Sequence, residues 1–334
     1  IGAELSRQII KLNPKKLVLL EINEPSLYYI NQELKSISKI SIEIIPVLGS
    51  AIDYLLLENI FNNYSIDVVF HAAAYKHVPL VESNPLQGIN NNVISTLRIC
   101  EASIKCKVSK MVLISTDKAV RPCNVMGASK RFAELIVQNF AKSESLEKQE
   151  INSNHTCFSI VRFGNVLNSS GSVLPLFRKQ IESGGPITLT HKNVERYFMT
   201  IPEAAELVIQ TVVMSKGGEV FLLDMGKPIK IKDLAEKMIR SSGLTVKSKA
   251  NPKGEIEIKI TGLRRGEKLY EELLIDAKSI KTEHPIIYKA IEKSKSKDFI
   301  QKKINDLEEA IKKWDQGKAL NILEEVVPEW ERRV

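Results

Sequence analysis

Apolar residues recur along this chain in two alternating rhythms. Short runs rich in aliphatic residues occupy Leu17–Ile22, Ile42–Leu48, Asp67–Ala72, Met111–Thr116, Thr156–Arg162 and Glu219–Leu223. Between them apolar positions return every three or four residues, as in Leu5, Ile9 and Leu12, and again in Phe132, Leu135, Ile136 and Phe140. The first rhythm suits strands and the second suits amphipathic helices. Repeated strand–helix alternation predicts an α/β fold with a doubly wound parallel sheet, because parallel neighbours need a crossover helix. From about Gly164 the spacing loosens, with breaks at Gly184-Gly185-Pro186 and Gly217-Gly218. Glu255–Ile260 alternates like an exposed edge strand, and residues 296–326 read as helix. The chain is therefore expected to hold a first domain over residues 1–163 and a smaller lobe with C-terminal helices over 164–334, with about 200–224 returning to the first sheet.

At 334 residues the chain has room for such a domain and lobe. The formal net charge of +8 suggests acidic ligands, but the lysines are scattered as on solvated faces. With no arginine-rich run and no interleaving of aromatic and basic residues, nucleic acid is not an expected partner. The four cysteines (Cys100, Cys106, Cys123, Cys157) have neither metal-ligand spacing nor the look of a disulfide framework. A reducing, cytoplasmic setting and no metal are expected. No run approaches the ~18 apolar residues of a membrane-spanning helix.

Residues 115–130 carry the densest chemistry. An apolar run ends in a hydroxyl, a carboxyl and an amine, Thr116, Asp117 and Lys118; a turn with Pro122 follows, then a helix with Lys130. An acid, a base and a hydrogen-bonding hydroxyl at one strand end suit proton transfer beside a carbonyl. Taken alone, Asp117 and Lys118 also fit a plain surface turn. For catalysis the amine needs a lowered pKa and the carboxyl a raised one, which a closed pocket is expected to provide.

Ile1-Gly2 before a helix reads as the tail of a Gly-x-Gly-x-x-Gly loop, with Gly2 as the glycine that lets helix and strand pack closely. Glu21 lies 19 positions on at the end of the next strand, where a dinucleotide fold places the acid for the ribose hydroxyls. A glutamate there repels a 2′-phosphate, which favours NAD over NADP. It also fits an ordinary strand-end acid. The small residues of His71-Ala72-Ala73-Ala74 suit close approach of backbone to cofactor, or simple tight packing. The fold expected is Rossmann-like, with the first strand and most of the glycine-rich loop missing from residues 1–334. That strand is central in the usual order. Its loss would leave ladder groups unpaired, so this stretch alone is expected to be insoluble or to bind NAD poorly until ~10–15 upstream residues are restored.

Seven segments occur in order and together carry a family resemblance. They are Leu-Glu-Ile-Asn-Glu (20–24), His-Ala-Ala-Ala-Tyr-Lys-His-Val-Pro (71–79), Ser-Thr-Asp-Lys-Ala-Val-Arg-Pro (115–122) and Asn-Val-Met-Gly-Ala-Ser-Lys-Arg (124–131). Val-Arg-Phe-Gly-Asn-Val-Leu (161–167), Arg-Tyr-Phe-Met-Thr-Ile-Pro-Glu-Ala (196–204) and Gly-Leu-Arg-Arg-Gly-Glu-Lys-Leu-Tyr-Glu-Glu-Leu (262–273) complete the set. The chain resembles the polysaccharide-biosynthesis branch of the extended short-chain dehydrogenases, the UDP-N-acetylglucosamine 4,6-dehydratases and relatives of capsule, O-antigen and flagellin-glycan pathways. The resemblance spans residues 1 to about 290. Met126 stands where short-chain dehydrogenases carry tyrosine. With the Glu-Ile-Asn-Glu segment it resembles the long members, whose catalytic domain follows a membrane-spanning region.

The resemblance implies oxidation of the sugar at C4 by tightly bound NAD, loss of water across C5 and C6, and return of the hydride to C6. It implies Lys118 as the C5 base, Asp117 as the acid for the departing hydroxyl, and Thr116 on the C4 oxygen. Lys130 would hold the nicotinamide ribose. Met126 cannot take a proton, so Thr116, Asp117 or a water held by Lys118 would serve the C4 hydroxyl. Ala72, Ala74 and Asn92 are implied on the cofactor side. Relatives commonly carry aspartate where Ser50 stands near adenine, and Asp53 is expected to compensate. On the substrate side Asn165 and Arg264 match positions that hold the diphosphate, a pairing that a forked guanidinium suits. Glu267 matches the nucleotide-ribose position. Leu174 and Phe177 would pack on uracil, or belong to an ordinary core turn, and Lys76 and Arg196 would face the site. The implied substrate is a UDP-N-acetylhexosamine and the implied assembly a homo-oligomer. The catalytic domain is expected in the cytoplasm or on the cytoplasmic face of the inner membrane. Two alternatives stay open, a UDP-sugar 4-epimerase and a non-catalytic module that binds NAD or a nucleotide sugar.

Overall fold

The computed structural model describes residues 1–38, 41–147, 155–272, 279–292 and 294–332. Leu273, the last residue of the 262–273 segment, lies outside the described residues. The first half alternates as the sequence predicts. Its strands are β1 (Lys16–Glu21), β2 (Glu43–Leu48), β3 (Val68–His71), β4 (Lys110–Thr116) and β5 (Cys157–Phe163). Its helices are α1 (Gly2–Lys11), α2 (Glu24–Ile37), α3 (Tyr54–Tyr64), α4 (Val78–Ser83), α5 (Pro85–Ile89), α6 (Ser95–Lys105) and α7 (Val125–Glu147). The second half contributes short strands β6 (Asn165–Val166), β7 (Ile187–Leu189), β8 (Glu195–Arg196) and β9 (Phe198–Met199), then β10 (Val220–Leu223), β11 (Ile229–Lys230), β12 (Val246–Lys247), β13 (Ile256–Ile260), β14 (Ser279–Lys281) and β15 (Ile287–Ala290). Helices α8 (Val173–Glu182), α9 (Ile201–Met214), α10 (Ile231–Ser241), α11 (Lys297–Lys312) and α12 (Gln316–Val326) lie among and after them.

The main sheet has six strands in the order β14-β15-β10-β5-β4-β3. Strands β3, β4, β5 and β10 run parallel, and β15 and β14 add an antiparallel edge. Both faces of this sheet are buried, and the period of two in each strand divides them. On β4, Met111 and Leu113 enter one core with helices α6 and α7, while Val112 and Ile114 enter another with α1 and α9. Phe158 and Ile160 against Val161 and Phe163 repeat the division on β5. That double burial explains why these strands read as continuous apolar runs. Strands β1 and β2 pair with each other in parallel as a separate sheet. Among the described residues no strand joins β1 to β3.

A third core builds the lobe from α8, α10, β7 and β13, around Phe177, Ile187, Ile239 and Ile256. The expected edge strand appears there as β13, paired with β7 and β12. Residues 296–326 form two helices instead of one. The chain reverses at Trp314, which adopts a positive φ of 55°, and the Asp315 side chain caps α12 by accepting from Lys318 N.

Candidate active site

The polar residues converge at the C-terminal end of β4, the end at which open α/β sheets hold ligands. Thr116 is the last residue of the strand, and Asp117–Ala119 form a single tight turn after it. Thr116 Oγ1 donates to Asp117 Oδ1 at 2.9 Å and accepts from Lys118 N at 3.3 Å. Asp117 is fully buried. The Lys118 ammonium donates to Asp117 Oδ1 at 3.0 Å and to Asn165 Oδ1 at 3.2 Å, and Glu271 Oε1 lies 3.5 Å away. Two hydrogen-bond acceptors and one carboxylate oxygen at ion-pair distance thus surround a group that has three donors and no lone pair when charged. Asp117 and Lys118 are not a plain surface turn.

The charge state departs from the sequence expectation. Burial pulls the Lys118 amine down, but the nearby Asp117 and Glu271 carboxylates outweigh it, against some opposition from Arg196. The net shift is upward, whereas a base was expected to be shifted down. The pocket closes around the lysine with two carboxylates, and their attraction for the ammonium exceeds the cost of burying it. Lys130 behaves as the rule for isolated buried amines predicts. It is lowered to about 8, chiefly by burial, and its Nζ donates to the Ile114 carbonyl at 2.8 Å. Met126, one helical turn earlier, is buried in the apolar core.

A buried ionic network fixes α7 to the sheet behind the site. Ser115 Oγ donates to Glu134 at 2.6 Å, Arg162 Nε donates to the same carboxylate at 2.7 Å, and Arg131 pairs with Glu134 at 3.0 Å. Arg131 and Arg162 also both pair with Glu292. No spacing in the chain reveals this network, because its members are spread from strand to helix to C-terminal segment. At the start of α7, Asn124 Oδ1 accepts from Gly127 N at 2.7 Å. Gly127 has no room for a side chain, since a Cβ would lie 2.2 Å from the Lys118 carbonyl oxygen.

The expected cofactor residues divide. Glu21 ends β1 with its carboxylate accepting from Asn23 N at 2.8 Å. Gly2 opens α1 beside Ala72, yet a Cβ there would meet only Ala72 Cβ at 3.9 Å, an ordinary contact. Asp53 caps α3 by accepting from Leu56 N at 3.0 Å, which gives it a structural task. Asn92 is 1% exposed and spends its amide on Tyr75 N, the Tyr75 carbonyl and Ser129 Oγ, at 2.8, 3.1 and 3.0 Å. It shapes the loop that contains Ala72 and Ala74. Lys76, from the same loop, donates to the Ser170 carbonyl at 2.9 Å.

On the substrate side, Asn165 on β6 holds Lys118, as described. Arg196 on β8 donates to the carbonyls of Glu195, Leu269 and Lys268 at 2.7, 3.1 and 2.7 Å. It also lies 3.6 Å from Glu267 and 3.7 Å from Glu271. Glu267 accepts from Thr190 Oγ1 at 2.8 Å and Arg264 N at 3.1 Å, and the Arg264 residue is exposed. Gly266 joins the 262–272 segment to the start of α7, its carbonyl accepting from Asn124 Nδ2 at 2.8 Å. Its φ of 72° and a would-be Cβ 2.7 Å from Asn124 Cβ both require glycine. Lys268 adds a bond to the Val120 carbonyl at 2.9 Å. Leu174 is half-buried, but Phe177 is 0% exposed within the lobe core. Phe177 is observed in the core, on helix α8 and not in a turn. Glu271 was missed, although it stands in a segment already notable for its paired glutamates. Among the described residues no group of three or more His, Cys, Asp or Glu is placed to hold a metal. No described helix is long and apolar enough to cross a membrane.

This sheet, with the polar cluster at its C-terminal end, defines a Rossmann-type α/β protein. The family of polysaccharide biosynthesis proteins matches residues 1–292, and the chain belongs to it. It is 49% identical over 274 residues to the capsular polysaccharide biosynthesis protein CapD of Staphylococcus aureus, covering 82% of this chain and 43% of CapD. The chain thus spans less than half the length of that relative. A UDP-glucose 4-epimerase of Rickettsia canadensis is 35% identical over 225 residues, 66% of this chain and 59% of that protein. Among solved structures, Pen from Bacillus thuringiensis superposes with a TM-score of 0.74 at 31% identity, covering 89% of this chain and 87% of Pen. DesIV of Streptomyces venezuelae, a dTDP-glucose 4,6-dehydratase solved with NAD and TYD, shares the fold with a TM-score of 0.65 at 18% identity, over 81% of this chain and 84% of DesIV.

Proposed function

We propose that this chain is the catalytic part of a nucleotide-sugar 4,6-dehydratase that acts on a UDP-N-acetylhexosamine for surface-glycan synthesis. The observation that carries the reading is the Lys118–Asp117 contact of 3.0 Å beside Thr116. Residues 1–163 serve the cofactor and residues 164–334 mainly the sugar nucleotide, in a homo-oligomer at the cytoplasmic face of the inner membrane. The residues present fit NAD. Glu21 ends the strand after α1, the N-terminus of α1 lies beside Ala72, and Lys130 is a buried amine with N–H groups left beyond its bond to Ile114. NAD, when bound, supplies the acceptor and donor of hydride.

The chain's own groups then manage protons. Asp117 receives the C4 hydroxyl proton through Thr116 Oγ1, which already bonds it at 2.9 Å, and passes that proton to the departing C6 hydroxyl. Lys118 takes the C5 proton and returns a proton to C5 when the hydride reaches C6. The ammonium has the wrong form for this task and becomes a base once it has lost its proton. Support from outside the site comes from the DesIV likeness in fold and from the CapD relationship.

The Rickettsia epimerase supports a second reading, inversion at C4. Met126 counts against it, since a thioether offers no proton transfer at the tyrosine position. Incubating the full-length protein with UDP-N-acetylglucosamine and following the sugar by NMR separates the readings. A 4-keto-6-deoxy product is expected; C4 inversion would establish the epimerase, and an unchanged sugar a binding module.

A further inference from the structure

Glu271 has no part in the chemistry above, yet its side chain is 3% exposed and lies against the two cations of the site. Its Oε1 is 3.5 Å from Lys118 Nζ and 3.7 Å from Arg196 Nε, and its Oε2 finds no hydrogen-bond donor among the described residues. A buried carboxylate is costly unless ionic partners offset the loss of water, and Lys118 and Arg196 are the partners. We propose that Glu271 is a positioning residue for Lys118, holding its ammonium as an ion-pair partner and fixing the pH at which the amine becomes available as a base. This rests on the dehydratase reading for its consequence in turnover, though not for its chemistry.

Geometry supports the assignment. Lys118 is faced from its own turn by Asp117, from β6 by the neutral Asn165, from the 262–272 segment by Glu271 and from β8 by Arg196. Asp117 cannot perform both tasks at once, because it must hold the ammonium and also relay a proton to the departing hydroxyl. Glu271 keeps one negative charge on the lysine while Asp117 changes state. Arg196 limits that attraction and anchors the segment through three backbone carbonyls. A glutamine at 271 keeps the shape and an acceptor but removes the charge, so the amine loses its proton at lower pH.

The test is the pH profile of kcat for full-length enzyme loaded with NAD, wild type against Glu271→Gln and Glu271→Asp. The ascending limb is expected to move to lower pH by about 1–3 units in Glu271→Gln, the range for loss of a close opposite charge. One unit below the wild-type midpoint, the variant's activity relative to its own maximum rises several-fold. Glu271→Asp restores the limb towards wild type. A limb that stays in place in a folded Glu271→Gln protein overturns the proposal. A second readout needs no turnover: acylation of Lys118 by an amine reagent across pH, read by mass spectrometry, with a fifth of the side chain accessible. If the labelling midpoint falls in Glu271→Gln while no dehydration is seen, the Glu271 assignment stands and the dehydratase reading fails. If dehydration is seen and neither midpoint moves, Glu271 is only structural.

Discussion

Lys118 sits 3.0 Å from Asp117 and is faced by Asn165 and Glu271, so its removal takes away the proposed base and a partly buried cation. Lys118→Ala in the full-length protein is expected to lower 4-keto-6-deoxy product formation by at least ~10²-fold, the usual scale for a lost general base. Unchanged turnover removes the mechanism. Lys130 allows a prediction about stability. Its amine is lowered from 10.5 to about 8 in the fold. The unfolded chain therefore holds the proton more tightly. Keeping Lys130 charged costs stability at all pH values below 8, and that cost fades as pH rises from 8 to 10.5. Lys130→Met should raise the melting temperature at pH 7, with the gain shrinking towards pH 10.5. An equal gain at both pH values would show that charge is not the cause. Thr116, Asp117 and Lys118 were legible in the sequence because they are contiguous and end an apolar strand. Glu271 was not, because its partners Lys118 and Arg196 are remote in sequence. Asp53 and Asn92 show the converse, polar residues whose local hydrogen bonds to Leu56 and Tyr75 no spacing rule reveals.

The strands were the most legible elements. Each central run is buried on both faces, so its apolar residues are unbroken in sequence and its bounds fall within a residue or two of the prediction. The antiparallel strand β15 was not foreseen, since four residues with half-buried positions carry little pattern. The break between α11 and α12 was hidden too. Apolar periodicity continues from Leu307 through Ile311 to Leu320, and the stop depends on the backbone at Trp314 and the cap at Asp315. The 262–272 segment clamps the turn after β4 and the start of α7, through Glu271 on Lys118, Lys268 on Val120 and Gly266 on Asn124. Gly266→Ala should cost about 1–3 kcal/mol in urea denaturation, as expected for a side chain forced into a positive-φ position against a neighbour. It should also lower affinity for UDP-N-acetylglucosamine. A fully stable variant with normal binding would show that the clamp is dispensable.

At the scale of the whole molecule, the site is shared between two cores. The β4 turn and α7 belong to the main sheet, whereas Arg196 and the 262–272 segment join it from the side of the lobe. Alternation in the sequence made the layers legible. It could not show which distant charges meet at the strand end, because that depends on long-range packing. The question that joins these scales is whether the Lys118–Asp117 pair moves the C5 proton. Incubating the full-length enzyme with UDP-N-acetylglucosamine in D₂O, and locating deuterium by NMR, tests this directly. Elimination followed by hydride return predicts a 4-keto-6-deoxy sugar with one deuterium at C5, its C6 methyl carrying the hydrogen that came from C4, and no such product from Lys118→Ala. A product inverted at C4 with C5 still fully protonated would contradict it.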